Sequence, residues 1–198
     1  MYKTGDSKET RLVLASASPR RRELLQQIGV GFRIVVADIE ERPLPEESPR
    51  DFVLRMAREK ALEVMRREPG HLPVLGSDTA VILEGRILGK PENRLEAMEM
   101  LNSLSGKTHE VYSAVVIAVS EAEIHEALSI SRVTFADLEP GWIESYIDTG
   151  DPMDKAGSYG VQGKAAEKIS NIEGSFYGVM GLPLYETAQL LKRAQVLF

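Results

Sequence analysis

Residues 12–25, LVLASASPRRRELL, constrain the fold of this chain more than any other stretch. A short apolar run, Leu12 to Ala15, gives way to the hydroxyls of Ser16 and Ser18, then to Pro19, then to Arg20, Arg21 and Arg22. The order is strand, tight turn, helix. Ser18 suits the N-cap and Pro19 the first helical position, because the cap oxygen satisfies an orphan N–H and proline has none to lose. Three arginines in the first turn have the wrong sign. The helix N-terminus carries a partial positive charge, so each cation there costs about 0.3–1 kcal/mol. A phosphate bound by free N–H groups, the Arg20 and Arg21 forks and the Ser16 hydroxyl offsets that cost. The competing reading is a solvated charge run, which is adopted here for Arg22.

The rest of the chain follows the same grammar. The first helix is expected to close near Gly29, and Phe32 to Val36 reads as a second strand leading into ADIEERPLPEES. Most acids of that loop are solvated, yet a carboxylate directly after a strand is well placed to reach a metal or a ribose. Ser48, Pro49 and Asp51 open a helix to about Arg67. At about 100° per residue, Phe52, Val53, Met56, Ala57 and Val64 share one face, and Lys60 falls inside it. Its ammonium either snorkels to water or aims into a ligand cleft.

Next comes PVLGSDTAVILEGRILGKP, a strand, a turn at Glu84 and Gly85, and a shorter return strand. Asp78 sits mid-strand among Val74, Leu75, Ala80, Val81 and Ile82, where a carboxylate needs a partner or a function. The piece GRILGKP is not a Walker A loop, since its glycines are wrongly spaced and Pro91 stands where a hydroxyl would bind magnesium. Residues 93–104 form an amphipathic helix through Leu95, Met98, Leu101 and Leu104. His109 to Val119 and Ile124 to Leu138 are two long strands. Pro140 opens a helix carrying Trp142, read as a core residue, and closing at Gly150; GLPLYETAQLLKR leads into a final helix. In DPMDKAGSYGVQG, glycines 157, 160 and 163 recur beside Asp154, Lys155 and Gln162, whose amide offers one donor and one acceptor. That edge matches N3–H and O4 of uracil or thymine; a plain surface loop is the alternative.

Composition excludes several classes. A net charge of −6 argues against general affinity for nucleic acid or anionic membrane, so an anionic ligand must be held by a local basic cluster. With no cysteine there is no disulfide framework, thiolate zinc site or cysteine nucleophile. His71, His109 and His125 lie far apart, without metal-ligand spacing. The polar N-terminus has no apolar signal region and the longest apolar run, Ala114 to Val119, is too short for a membrane span, so the expected compartment is the cytoplasm. Arg20, Arg21, Lys60 and Lys90 beside Glu41 and Asp78 fit phosphoryl or nucleotidyl chemistry: cations and a metal neutralise polyphosphate while a carboxylate orients or deprotonates water.

LASASPRRRELL, AREKA, VLGSDTAVIL, ILGKP, DKAGSYGVQG and GLPL resemble, in order, the signature motifs of the Maf family of nucleoside triphosphate pyrophosphatases, once described as septum formation inhibitors. The likeness runs from Leu12 to about Leu191. It implies an α/β fold with an elongated mixed sheet flanked by helices, two lobes and a central cleft, akin to other house-cleaning pyrophosphatases of the ITPase type. Residues 12–198 are then one Maf-like domain and 1–11 an N-terminal extension. It further implies water attack at the α-phosphorus with a divalent cation, Mg²⁺ or Mn²⁺, and a homodimer. By motif, Asp78 resembles the proton acceptor, Ser16, Arg20, Lys60 and Lys90 the substrate and phosphate contacts, and Glu41 an active-site carboxylate that with Asp78 would hold the metal.

Arg21, Thr79 and Gln162 resemble the branch acting on dTTP and UTP. The 7-methyl-GTP branch carries tryptophan at the position of Arg20 and glutamine at that of Thr79. The rival expectations are a 7-methyl-GTP or broad-specificity pyrophosphatase and a nucleotide-binding regulator of septum formation. Gly178 departs from the asparagine of many relatives.

Overall fold

The computed structural model describes residues 9–68, 70 and 72–196; His71 and most of the expected N-terminal extension lie outside them. In chain order the elements are β1 Leu12–Leu14, α1 Pro19–Gln27, β2 Phe32–Ile34, α2 Pro49–Arg67, β3 Val74–Leu83, β4 Arg86–Leu88, α3 Arg94–Leu104, β5 Thr108–Ala118, β6 Ile124–Phe135, α4 Pro140–Ile147, β7 Ile169–Glu173, α5 Phe176–Met180 and α6 Leu184–Arg193. The helix starts are those the capping residues dictate. Ser18 and Ser48 accept from the backbone N–H of Arg21 and Asp51, each with proline at the first helical position.

One mixed sheet runs through the molecule in the order β2-β1-β3-β5-β6-β7, with β4 also on β3. β1 is parallel to β2 and β3; the remaining pairs are antiparallel. The pairing of β3 places the site. One side is matched by β5 from Val74 to Ile82. On the other side β1 pairs only Val74 and Leu75, and β4 only Val81, Ile82 and Leu83. Residues 76–80 lie in the gap between, and the central cleft opens there.

Alternation along β3 divides the core. Val74, Ala80 and Ile82 face α2, whose Val53, Met56, Ala57, Ala61 and Val64 form a buried layer. Leu75 faces a second cluster built from α1 and α6, while Val81 and Leu83 face a third beneath α3 and α4. Ser77 and Thr79 share that second face and fall at the boundary between the two clusters. Gly76 is where α2 crosses: an added Cβ would stand 2.1 Å from the Ala57 carbonyl oxygen.

Two expectations need correction. Leu95 is 64% exposed, and α3 buries Ala97, Met100, Leu101 and Leu104 instead. Six positions separate Leu95 from Leu101, which at about 100° per residue places Leu95 about 120° off the face that Ala97, Leu101 and Leu104 bury. Trp142 is half-buried at the rim of the third cluster, with its indole N–H donated to Glu167. The strands are also shorter than read, β2 ending at Ile34 and β6 at Phe135, where its pairing with β7 shifts register.

Candidate active site

The cleft has a volume of about 580 Å³ and is lined by all nine residues singled out from the sequence: Ser16, Arg20, Arg21, Glu41, Lys60, Asp78, Thr79, Lys90 and Gln162. They come from six places. Ser16, Arg20 and Arg21 follow β1, Glu41 follows β2, Lys60 is on α2, Asp78 and Thr79 are in β3, and Lys90 follows β4. Gln162 stands on the facing glycine loop.

Lys60 and Asp78 meet because an even-numbered β3 residue faces α2. The Lys60 ammonium donates to Asp78 Oδ1 at 2.7 Å and lies 2.9 Å from Glu41 Oε1. Its side chain is 8% exposed, so the snorkelling alternative fails. The stem crosses an apolar layer and the charge is spent on two carboxylates. Burial pushes the Asp78 carboxyl above its ordinary value, opposed by Lys60 and Arg21. Partial burial also works to raise Glu41, but the adjacent Lys60, helped by Lys90 and Arg21, holds it below the ordinary carboxylate range.

Arg21 departs from the sequence expectation. Its Nε donates to the Gly181 carbonyl at 2.8 Å, Nη1 to Ser16 Oγ at 3.2 Å and Nη2 to Thr79 Oγ at 3.4 Å. All three nitrogens are engaged by the protein, so Arg21 braces the wall instead of presenting an open fork. Burial lowers its pKa, opposed by Asp78 and Glu41, and the guanidinium keeps its charge. Arg20 makes no hydrogen bond among the described residues and is the arginine left to face an anion. Thr79 is held in turn by Ser113 Oγ at 3.0 Å, and Ser113 donates to the Gly178 carbonyl. Gly178 thus lies in this bracing network.

The facing wall is the loop of residues 151–163. The Gly157 N–H donates to the Gly89 carbonyl at 2.9 Å, fixing the loop beside Lys90. Gly157 has φ +66°, and an added Cβ would meet Val81 of β3 at 2.9 Å, so this glycine answers both a turn and a close approach. Lys90 and Gln162 both line the cleft and are exposed. Sequence reasoning missed Asp151 and the Gly181 carbonyl. The first sat unremarked beside the polar company of the glycine loop; the second is a backbone atom with no residue signal.

Among the described residues no three His, Cys, Asp or Glu side chains converge as a ready-made metal cage. Glu41 and Asp78 do supply two hard oxygens on either side of one ammonium, 2.9 and 2.7 Å from it. A Mg²⁺ or Mn²⁺ ion suits that pair, since such ions take one or two carboxylates and complete their shell with phosphate and water.

A mixed sheet with a cation-rich, carboxylate-bearing cleft at a gap in its central strand defines the architectural class. The fold alone is shared with a HAM1 protein from Coxiella burnetii, with a TM-score of 0.51 at 18% identity over 93% of this chain and 100% of that one. The chain belongs to the Maf family: the model of the Maf-like protein matches residues 11–194. It is 50% identical to a dTTP/UTP pyrophosphatase of Cupriavidus pinatubonensis over 94% of this chain and 98% of the relative. It is also 50% identical to one of Methylobacillus flagellatus, over 96% of each.

Proposed function

We propose that this chain hydrolyses dTTP and UTP to the nucleoside monophosphate and pyrophosphate. The observation that carries the reading is the buried Lys60–Asp78 contact with Glu41 beside it, at the floor of a cleft whose walls hold Arg20, Lys90 and Gln162. The names of relatives matched over nearly their full length support the same substrates. Residues 12–198 act as one catalytic unit.

Asp78 takes a proton from water as the water oxygen bonds to the α-phosphorus. The bond to the bridging oxygen breaks, and pyrophosphate leaves. Burial suits Asp78 to this role, because it raises the carboxyl above its ordinary value and so makes the carboxylate a stronger base. Lys60 opposes that rise by favouring the charged carboxylate. Arg20 and Lys90 neutralise the polyphosphate from the two rims, and Ser16 supplies a hydroxyl near the N-terminus of α1. Glu41 and Asp78 would hold Mg²⁺ or Mn²⁺, which supplies charge neutralisation and polarises the phosphoryl oxygens. Gln162 reads the N3–H and O4 edge of the pyrimidine, and the Arg21–Thr79 brace shapes the wall against which the nucleotide lies. A homodimer in the cytoplasm, cleaning the nucleotide pool and with a role in cell division arrest, completes the reading. Among the described residues no helix is long and apolar enough to cross a membrane.

The test is pyrophosphate release with Mg²⁺ or Mn²⁺ over dTTP, UTP, CTP, ATP, GTP and 7-methyl-GTP. Preference for dTTP and UTP is expected, and Asp78→Asn is expected to lower kcat by about 10²–10⁴-fold while circular dichroism stays native. Release mainly from 7-methyl-GTP overturns the substrate assignment; near-normal turnover by Asp78→Asn overturns the base.

A further inference from the structure

The loop that carries Gln162 has little ladder bonding of its own, yet it rests on a strut from outside the cleft. Tyr146, on α4, is fully buried. Its hydroxyl donates to Asp151 Oδ2 at 2.7 Å and accepts the Gly160 N–H at 3.1 Å. Lys155, also buried, donates to the Asp151 carbonyl oxygen at 2.6 Å and pairs with Asp151 Oδ1 at 2.9 Å and Asp154 at 2.6 Å. The glycines sit directly on these groups. An added Cβ on Gly160 would stand 2.8 Å from Lys155 Cε, and one on Gly163 would stand 3.0 Å from Asp151 Oδ2. Gly163 closes back on Gly160 through its own N–H at 3.1 Å, leaving Gln162 inside that turn.

We infer that Tyr146, through Asp151 and Lys155, is a positioning residue for pyrimidine selection, fixing the height and direction of the turn that presents Gln162. This rests on Gln162 reading the base. The chain of contacts has one weak point by construction. Among the described residues the hydroxyl of Tyr146 joins the Gly160 amide to the Asp151 carboxylate, and phenylalanine deletes it without changing the ring that stacks on Trp142 with centroids 5.0 Å apart. Tyr146 itself does not line the cleft, although Asp151 and Lys155 do, so the phenylalanine variant changes no side chain of the lining.

The experiment compares wild type, Tyr146→Phe and Asp151→Asn in steady-state hydrolysis of dTTP, UTP and CTP, and in amide hydrogen exchange of the nucleotide-free protein. For Tyr146→Phe, KM for dTTP and UTP is expected to rise about tenfold with kcat within about twofold, the scale of one hydrogen bond to a charged group. Preference over CTP should shrink by a similar factor, and residues 160–163 should exchange about tenfold faster. Asp151→Asn breaks the Lys155 ion pair and should move preference and exchange in the same direction, so it carries the test if Tyr146→Phe does not fold. A folded variant with unchanged KM, preference and exchange overturns the inference. So does a loss of kcat equal for all three nucleotides, which marks a merely structural residue. A wild type that fails to distinguish dTTP from CTP overturns the reading of Gln162, and the inference with it; a discriminating wild type beside an indifferent Tyr146→Phe overturns the inference alone.

Discussion

Acid should unfold this protein partly through one imidazole. His109 is 2% exposed in β5, stacked on Phe135 with centroids 5.5 Å apart, and its Nε2 lies 2.8 Å from the Tyr159 hydroxyl. Its Nδ1 is buried without a partner among the described residues. Burial disfavours the charged ring and lowers its pKa from 6.5 to about 4. The unfolded chain therefore binds a proton between those values that the native state refuses, and stability falls as pH drops through the window. The difference of about 2.5 units corresponds to about 3 kcal/mol, with about 2 kcal/mol already lost at pH 5. His109→Gln keeps an amide near Nε2 for Tyr159 and cannot titrate. At pH 7 it should be less stable than wild type by about 1–2 kcal/mol, because the ring leaves a partly filled cavity. The gap should close near pH 5 and reverse by pH 4. Urea unfolding monitored by circular dichroism at each pH measures it, and titration of carboxylates common to both proteins cancels in the difference. A gap that stays constant from pH 7 to pH 4 refutes the reasoning.

Two further outcomes follow from the centre of the sheet. Lys60→Met leaves Asp78 buried without its ammonium and should cost about 3–5 kcal/mol at neutral pH, read as a lower urea midpoint with unchanged slope. Gly76→Ala should fail to give folded protein or should lose more than about 4 kcal/mol, measured by soluble yield and thermal melting, because β3 and α2 must separate to admit a Cβ 2.1 Å from a carbonyl oxygen.

The strand–turn–helix opening, the phase of α2 and the placing of Asp78 in a buried strand were legible because each depends on residues a few positions apart. Lys60 shows where such reading stops. Counting around α2 put it on the apolar face, but the choice between water and a cleft depended on Asp78, reached only when β3 packs beneath the helix. Arg21 shows the opposite failure. The charge at a helix start suggested two open phosphate forks, whereas one fork is consumed by Gly181, Ser16 and Thr79. Gly181 contributes a carbonyl, which no side-chain pattern announces. The expectation for Leu95 fails for a local reason, since apolar residues at every third position drift about 60° per step and six positions carry Leu95 off the face of Leu101. The set of nine cleft residues was assembled mainly from the ordered motifs; spacing alone marked several of them as unusual without saying that they meet.

The bond between Arg21 and Gly181 joins positions 160 residues apart. During synthesis the N-terminal βα unit emerges early, with its arginines and hydroxyls in local order but its wall unbraced. The chain must be nearly complete before Gly181 can dock. Competence to hold a nucleotide thus arrives late, as a property of the finished polypeptide, and a chain cut short before α5 carries most of the polar groups of the cleft without the brace that sets their spacing.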